Sequence, residues 1–120
     1  MAGRTILLVD DDRVIRLVLR SQFERDGFDV VPASSVREAR RRLTGGEIDL
    51  AIVDVRLPDG DGFELARDIK DRQPAIPVIV MSSQGVDEGQ DRARESGAYA
   101  YVSKPFRYDR LLDLLAEAFR

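Results

Sequence analysis

The sequence predicts an α/β fold in which one parallel sheet of five strands carries five helices on its two faces. Five short apolar runs alternate with longer segments of helical spacing. The runs are continuously apolar, as in strands that are buried on both faces. Because right-handed crossovers join parallel strands, a doubly wound sandwich is the natural closure. A chain of 120 residues provides one hydrophobic core, so we expect a single domain over residues 1–120.

The predicted strands are the apolar runs, and a predicted helix follows each of them. The strands are expected at residues 6–9, 30–31, 50–53, 76–81 and 99–102. In the first helix, apolar and long side chains recur at helical spacing and predict a buried stripe. The stripe consists of Ile15, Val18, Leu19, Gln22 and Phe23, and the apolar residues outside it are Val14 and Leu17.

The later helices have their own signals. Ser35 and Glu38 have the spacing of a capping box at the start of the second helix. The third helix is predicted at about 62–72. The fourth, at about 86–96, contains Gly89 and few apolar residues, so we expect it to be the most mobile helix. The fifth carries apolar residues at helical spacing, namely Leu111, Leu112, Leu115, Ala118 and Phe119.

The composition excludes several kinds of chemistry. The sequence has no His and no Cys, which excludes an imidazole base, a thiolate nucleophile, a disulfide and the usual zinc ligands. A formal net charge of -3 gives no concentrated basic face, so we expect no direct binding of nucleic acid. No apolar run exceeds five residues and the first residues do not resemble a secretion signal. We therefore expect no membrane contact and a cytoplasmic location.

Polar or charged side chains follow four of the five predicted strands, namely Asp10, Asp11, Asp12, Asp54, Ser82 and Lys104. The carboxyl ends of parallel strands meet at one edge of a sheet, so we expect these groups to converge. Converging carboxylates need a cation, and oxygen ligands alone select a hard ion such as Mg²⁺. With Lys104 and Ser82 the set suits phosphoryl transfer, which needs charge neutralisation and alignment. Asp54 is the preferred nucleophile, because an ionised carboxylate at the end of a buried strand requires compensation.

Each of these residues also has an ordinary structural interpretation. One aspartate of residues 10–12 suits the N-cap of the first helix, Asp54 suits the start of a turn, and Ser82 suits a cap. Residues 58–62 are mostly a turn, in which Asp61 is a candidate cap for the third helix. The ordinary interpretations do not explain why the site residues lie together at successive strand ends.

Over essentially its whole length, the sequence resembles the receiver domain of bacterial two-component response regulators. Four ordered motifs carry the resemblance: residues 6–11, Asp54 with residues 57–62, residues 77–82, and residues 104–106. Details of the second and third motifs resemble receivers of the nitrogen-regulation type. The resemblance implies a flavodoxin-like receiver fold with strand order 2-1-3-4-5.

The resemblance also implies a chemical role for each site residue. Asp54 accepts a phosphoryl group from the phosphohistidine of a sensor histidine kinase or a histidine phosphotransfer protein. Lys104 contacts the phosphate and, as in family members, precedes Pro105 through a cis bond. Such a domain promotes its own phosphorylation and dephosphorylation and is not otherwise an enzyme. The implied Mg²⁺ ligands are Asp10, directly or through water, Asp11, Asp54 and the backbone carbonyl of Arg56.

A conformational switch is implied as well. Ser82 moves to hydrogen-bond the phosphate, Tyr101 turns inward, and the face formed by the fourth helix, fifth strand and fifth helix changes its contacts. The implied partners are an output domain or target protein and, after phosphorylation, a second copy of the chain. We expect Val14 and Leu17 to dock the phosphodonor, and Arg56 to shield the acyl phosphate from water.

The strongest rival interpretation is a haloacid-dehalogenase-like phosphatase that uses Asp10 and Asp12. Residues 10–14 match the Asp-x-Asp-x-Val signature of that family, and Ser82 and Lys104 suit both interpretations. The phosphatase interpretation leaves Asp54 unexplained and lacks an acidic motif on a later strand. A third possibility is a receiver that binds partners without phosphorylation, although the full set of site residues argues against it.

Overall fold

A computed structural model describes residues 3–82 and 86–120. Its main sheet consists of β1 (Thr5–Val9), β2 (Asp29–Ala33), β3 (Leu50–Asp54), β4 (Val78–Ser82) and β5 (Ala100–Ser103). The strands pair in parallel in the order β2-β1-β3-β4-β5. The predicted fold class and strand order are therefore confirmed, and each strand lies within two residues of its predicted bounds.

Five helices connect and cover these strands. They are α1 (Arg13–Arg25), α2 (Val36–Thr44), α3 (Gly62–Arg72), α4 (Val86–Ser96) and α5 (Tyr108–Ala118). The sequence did not predict a short antiparallel ribbon between β3 and α3, in which Arg56–Leu57 pairs with Gly60–Asp61. None of the helices described combines the length and the apolar character needed to span a bilayer.

The core lies on both faces of the sheet, because successive residues of a strand point to opposite sides. In β1, Ile6 and Leu8 pack towards α1 and α5. Leu7 and Val9 pack towards α2, α3 and α4. All four side chains are fully buried, which explains why the strand sequences are apolar without alternation.

Side-chain caps fix where three of the helices begin. The Asp12 carboxylate accepts hydrogen bonds from the backbone N–H groups of Val14 (2.9 Å) and Ile15 at the start of α1. The Ser35 hydroxyl accepts the N–H of Glu38 at 3.1 Å. Asp61 caps α3. These contacts confirm the predicted caps. They also show that, of the three consecutive aspartates at residues 10–12, Asp12 is the one that caps α1.

The predicted buried stripe of α1 was partly wrong, and α5 buries one residue that its predicted apolar set did not include. Val18 is half-exposed, although Leu19 and Phe23 of the same stripe are buried. Val18 borders an open groove between α1 and the segment after β5. That segment does not cover this part of α1. In α5, Leu114 is buried and Leu112 only partly so. The direction of a stripe depends on how a helix is seated on the sheet, which periodicity alone does not specify.

Candidate functional site

An acidic and basic cluster lies at the carboxyl ends of β1, β3 and β5. Asp10 follows β1, Asp54 ends β3, and Lys104 follows β5. The Lys104 Nζ atom lies 3.2 Å from Asp10 Oδ2 and 3.4 Å from Asp54 Oδ2. The two carboxylates therefore share one ammonium group. The convergence of the three side chains at one edge of the sheet agrees with the sequence prediction.

Backbone and side-chain contacts fix the position of Asp10. Its side chain is fully buried. The Asp10 N–H donates to the carbonyl of Ala33 at 3.0 Å, and its Oδ1 accepts the N–H of Asp12 at 2.9 Å. The guanidinium of Arg16 donates to the Asp10 carbonyl at 2.6 Å. The loop from β1 into α1 is thus held from both sides, and no pattern in the sequence indicated the Arg16 contact.

Close backbone packing positions Asp54. The Gly62 N–H donates to the carbonyl of Val55 at 2.7 Å. A Cβ atom at position 62 would overlap the carbonyl of Asp54, so glycine is required for α3 to begin this close to β3. On the other side of the site, the Lys104 N–H donates to the Ser82 carbonyl at 2.6 Å. The bond from Lys104 to Pro105 is cis, as the resemblance implied.

The carboxylates of Asp10, Asp11 and Asp54 form a possible metal site. One oxygen of each lies within 4.8 Å of the others. Asp10 and Asp54 are buried whereas Asp11 is exposed, so the cluster opens to solvent on the Asp11 side. Three carboxylate oxygens without nitrogen or sulfur suit a hard divalent cation such as Mg²⁺. Arg56 begins the ribbon two residues after Asp54.

The electrostatics of the site show a shortage of positive charge. Burial raises the pKa of Asp54 from 3.8 to about 6, and the Asp10 carboxylate adds to this rise while Lys104 opposes it. Burial lowers the pKa of Lys104, but the two carboxylates outweigh this effect, so the net shift is upward. Lys104 therefore stays charged, and one ammonium does not compensate two buried carboxylates. A bound divalent cation would remove this imbalance.

Comparison with known proteins identifies the family. A family model described as the response regulator receiver domain matches residues 6–116. The chain belongs to this family.

Similar proteins and structures agree with this receiver assignment. The transcriptional regulator NtrC of Rhizobium meliloti (strain 1021) is 40% identical over 118 residues, which are 98% of this chain and 24% of that protein. PilR of Pseudomonas aeruginosa is 36% identical over 120 residues, which are 100% of this chain and 27% of that protein. The receiver thus spans about a quarter of the length of these relatives. The similarity to NtrC confirms the nitrogen-regulation type.

Solved receiver structures have the same fold. A receiver domain protein from Methanospirillum hungatei aligns with a TM-score of 0.90 at 29% identity, covering 95% of this chain and 91% of that one. The beryllofluoride-activated NtrC4 receiver domain dimer aligns with a TM-score of 0.89 at 32% identity, covering 96% and 95%. These matches support the five-stranded architecture from one end of the receiver to the other.

The remaining predicted site residues are Ser82, Tyr101 and Asp12. Ser82 is buried at the end of β4, where its carbonyl contacts Lys104. Tyr101 of β5 stacks on Phe63 with 6.2 Å between ring centroids. The Asp12 carboxylate accepts hydrogen bonds at the start of α1, so the structure gives no support to the phosphatase interpretation, which uses Asp12 together with Asp10.

Sequence reasoning missed the role of Asp59 in this receiver. One oxygen of its carboxylate accepts the N–H of Val36 at 2.8 Å, and the other accepts the N–H of Arg37 at 3.0 Å. These hydrogen bonds lower the pKa of Asp59. Asp59 therefore caps α2 from the loop after β3. It lies more than 20 positions along the sequence from both donors, so no local pattern marked it.

An exposed apolar patch lies beside the site. The exposed fractions of Val14, Leu17 and Val18 on α1 are 68%, 55% and 51%. A groove of about 590 Å³ runs between α1 and the segment after β5, and its lining includes Val14, Val18, Lys104 and Phe106. Exposed apolar residues that border a groove are a common feature of protein interfaces. The groove reaches Lys104, so a partner bound there would lie next to the acidic cluster.

Proposed function

We propose that this receiver accepts a phosphoryl group on Asp54 in a reaction that depends on Mg²⁺. The observation that carries the proposal is the sharing of the Lys104 ammonium by the buried carboxylates of Asp10 and Asp54. An arrangement with paired acids and one fixed cation suits phosphoryl transfer, which depends on alignment and charge neutralisation.

The proposed reaction forms an acyl phosphate. A carboxylate oxygen of Asp54 attacks the phosphorus of a phosphohistidine, the P–O bond forms, and the P–N bond to the donor imidazole breaks. Lys104 then keeps Asp10 as a partner and donates to a phosphoryl oxygen in place of the Asp54 oxygen. The Ser82 hydroxyl, at the end of the adjacent strand, is the proposed donor to a second phosphoryl oxygen.

The acidic cluster is the proposed Mg²⁺ site. Asp10, Asp11, Asp54 and the backbone carbonyl of Arg56 would hold the ion, and all four provide oxygen ligands. When bound, Mg²⁺ supplies the positive charge that phosphoryl transfer needs. The Arg56 side chain is exposed two residues after Asp54, and we propose that it shields the acyl phosphate from water.

The α1 patch is the proposed docking surface for the phosphodonor, a sensor histidine kinase or a histidine phosphotransfer protein. Val14 lines the groove that reaches Lys104, and Leu17 is exposed on the same helix. If the donor histidine lies on a helix, apolar residues next to it on that helix could pack against this patch while its phosphoryl group reaches Asp54.

The proposed result of phosphorylation is a change at the face formed by α4, β5 and α5. Relatives such as NtrC and PilR are about four times longer than this chain, which supports an output domain or target protein as the partner of this face. A solved NtrC4 receiver dimer supports homodimerisation after phosphorylation. The proposed location is cytoplasmic, and we propose no direct contact with nucleic acid or membrane.

Intact mass after incubation with Mg²⁺ and acetyl phosphate tests the proposed chemistry. We expect one phosphoryl adduct on the unchanged chain, and none when EDTA replaces Mg²⁺ or in Asp54→Asn. Asp71→Asn removes an exposed acid of α3 and should leave the adduct intact. An adduct that persists in Asp54→Asn would contradict the proposal. Hydrolysis of phosphate esters that depends on Asp10 would instead favour the phosphatase.

Leu17→Asp tests the docking surface separately. Phosphorylation by acetyl phosphate should be unchanged, because this small donor needs no docking patch. Transfer from an autophosphorylated sensor kinase that phosphorylates the unchanged chain should fall by tenfold or more, roughly the cost of placing a charge in an apolar contact. Equal loss with both donors would show that the substitution damages the site or the fold instead.

A further inference from the structure

Arg92 links α4 to the start of α3. Its guanidinium forms an ion pair with Asp61, and its Cζ atom lies 4.5 Å from the centre of the Phe63 ring. Asp61 also accepts the backbone N–H of Phe63 at 2.7 Å. Both contacts of Arg92 therefore converge on the first turn of α3, which packs on the backbone of Asp54. We call this pair of contacts the Arg92 bridge.

Tyr101 contacts the same two helices that the Arg92 bridge joins, through Phe63 of α3 and Gly89 of α4. One side of its ring stacks on Phe63, with an angle of 19° between the ring planes. On the side of α4, a Cβ atom at position 89 would overlap the Cζ and hydroxyl atoms of Tyr101. Gly89, which the sequence suggested only as a weak point of the helix, therefore provides room for the ring.

Packing holds the Tyr101 ring. Its hydroxyl oxygen is buried, and within residues 3–82 and 86–120 it has no hydrogen-bond partner. Tyr101 as a whole is partly buried and packs against the core on the α3 and α4 side of the sheet. The position of α4 relative to Phe63 sets the space that the ring occupies beside Gly89.

We infer that Arg92 is a positioning residue for Tyr101. By holding α4 against Asp61 and Phe63, the bridge keeps the ring enclosed between Gly89 and Phe63. The Arg92 and Asp61 side chains are 46% and 30% exposed, so the bridge is weak enough to open and close. The positioning role of Arg92 does not depend on the proposed function. Its role in signalling does, because there a change at Asp54 reaches Tyr101 through the first turn of α3 and Arg92.

Fluorine NMR tests the inference on the unphosphorylated chain. The sequence has three tyrosines and no tryptophan, so 3-fluorotyrosine labelling gives three signals that single Tyr→Phe exchanges assign. A soluble gadolinium chelate then broadens each signal according to its exposure. In Arg92→Gln the ratio of enclosed to open Tyr101 should fall about fivefold, the combined effect of a partly exposed ion pair and a cation–π contact.

Matched variants make the test specific. Arg94→Gln removes an exposed arginine of the same helix and should leave the Tyr101 signal unchanged. Gly89→Ala fills the space beside the ring and should expose Tyr101 even though Arg92 is intact. The signals of Tyr99 and Tyr108 serve as internal references in every variant, and circular dichroism checks that each variant is folded.

Several outcomes would overturn the inference. If folded Arg92→Gln protects Tyr101 as well as the unchanged chain does, Arg92 does not position the ring. Equal exposure of Tyr101 in Arg92→Gln and Arg94→Gln would indicate a general effect on α4. A protected Tyr101 in folded Gly89→Ala would place the ring elsewhere. The measurement needs neither Mg²⁺ nor a phosphodonor, so its failure is distinct from failure of the phosphorylation test.

Discussion

Asp54→Asn should stabilise the metal-free protein, although it removes the proposed phosphoacceptor. In the unchanged chain the buried carboxylates of Asp10 and Asp54 share the single ammonium of Lys104. Asparagine has nearly the shape of aspartate but no charge. The exchange therefore leaves one buried carboxylate for one ammonium, which is the balance that a buried ion pair requires.

The size of the effect follows from the pKa of Asp54. Burial, with help from Asp10, raises this pKa from 3.8 to about 6, and each pKa unit corresponds to about 1.4 kcal/mol. The ionised carboxylate thus costs the folded state about 3 kcal/mol at pH 7.5. Because the pKa is higher in the folded state, the cost is absent well below pH 3.8. It grows as the pH rises and is complete above about 6.

Urea unfolding in EDTA, followed by circular dichroism, measures this effect. The free energy of unfolding of Asp54→Asn should exceed that of the unchanged chain by about 3 kcal/mol at pH 7.5 and by about 1 kcal/mol at pH 4.5. Mg²⁺ at pH 7.5 should narrow the gap, because the unchanged chain has the full ligand set. The exposed control Asp71→Asn should change stability by less than about 0.5 kcal/mol. The reasoning fails if Asp54→Asn is not more stable, or if the gap is the same at both pH values.

Three further predictions concern the loops around the site. Gly62→Ala places a Cβ atom against the carbonyl of Asp54 and should cost about 2 kcal/mol or more in urea unfolding; normal stability with normal phosphorylation would contradict it. Asp59→Ala removes the two hydrogen bonds that Asp59 accepts from the first turn of α2, while the Ser35 cap remains, and should lower the melting temperature at pH 7. That difference should disappear as the pH falls through the lowered pKa of Asp59, and a pH-independent difference would disprove the charge argument. Arg56→Ala should speed loss of the phosphoryl group, measured by intact mass over time, and an unchanged rate would rule out shielding.

The sequence predicted local structure best where a single element contains the signal. Ser35 and Glu38 marked the start of α2, and Asp61 marked the start of α3, because a capping side chain and the backbone N–H that donates to it lie within one turn. The triple of aspartates was harder to interpret. Each of them suits a cap, and the register of α1 decides that Asp12 takes this role while Asp10 turns inward to Lys104.

Sequence patterns failed where a contact depends on how elements are seated against each other. Val18 follows the apolar period of α1, but the segment after β5 leaves it half-exposed. Gly89 looked like a weakness of α4, and the structure places it against the Tyr101 ring. In both positions, the surroundings of the residue depend on a segment or side chain of another element, which the local sequence does not specify.

The sequence by itself determined the alternation of strands and helices and the kinds of reactive side chain that are present. It also determined the edge of the sheet at which those side chains meet. These features follow from short-range periodicity and from the rule that parallel strands end on the same side. The tertiary structure decided that Asp10 and Asp54 share Lys104, that Asp59 caps α2, and that Arg92 bridges to Asp61 and Phe63. These contacts join residues far apart in the chain, so they depend on strand order and helix position.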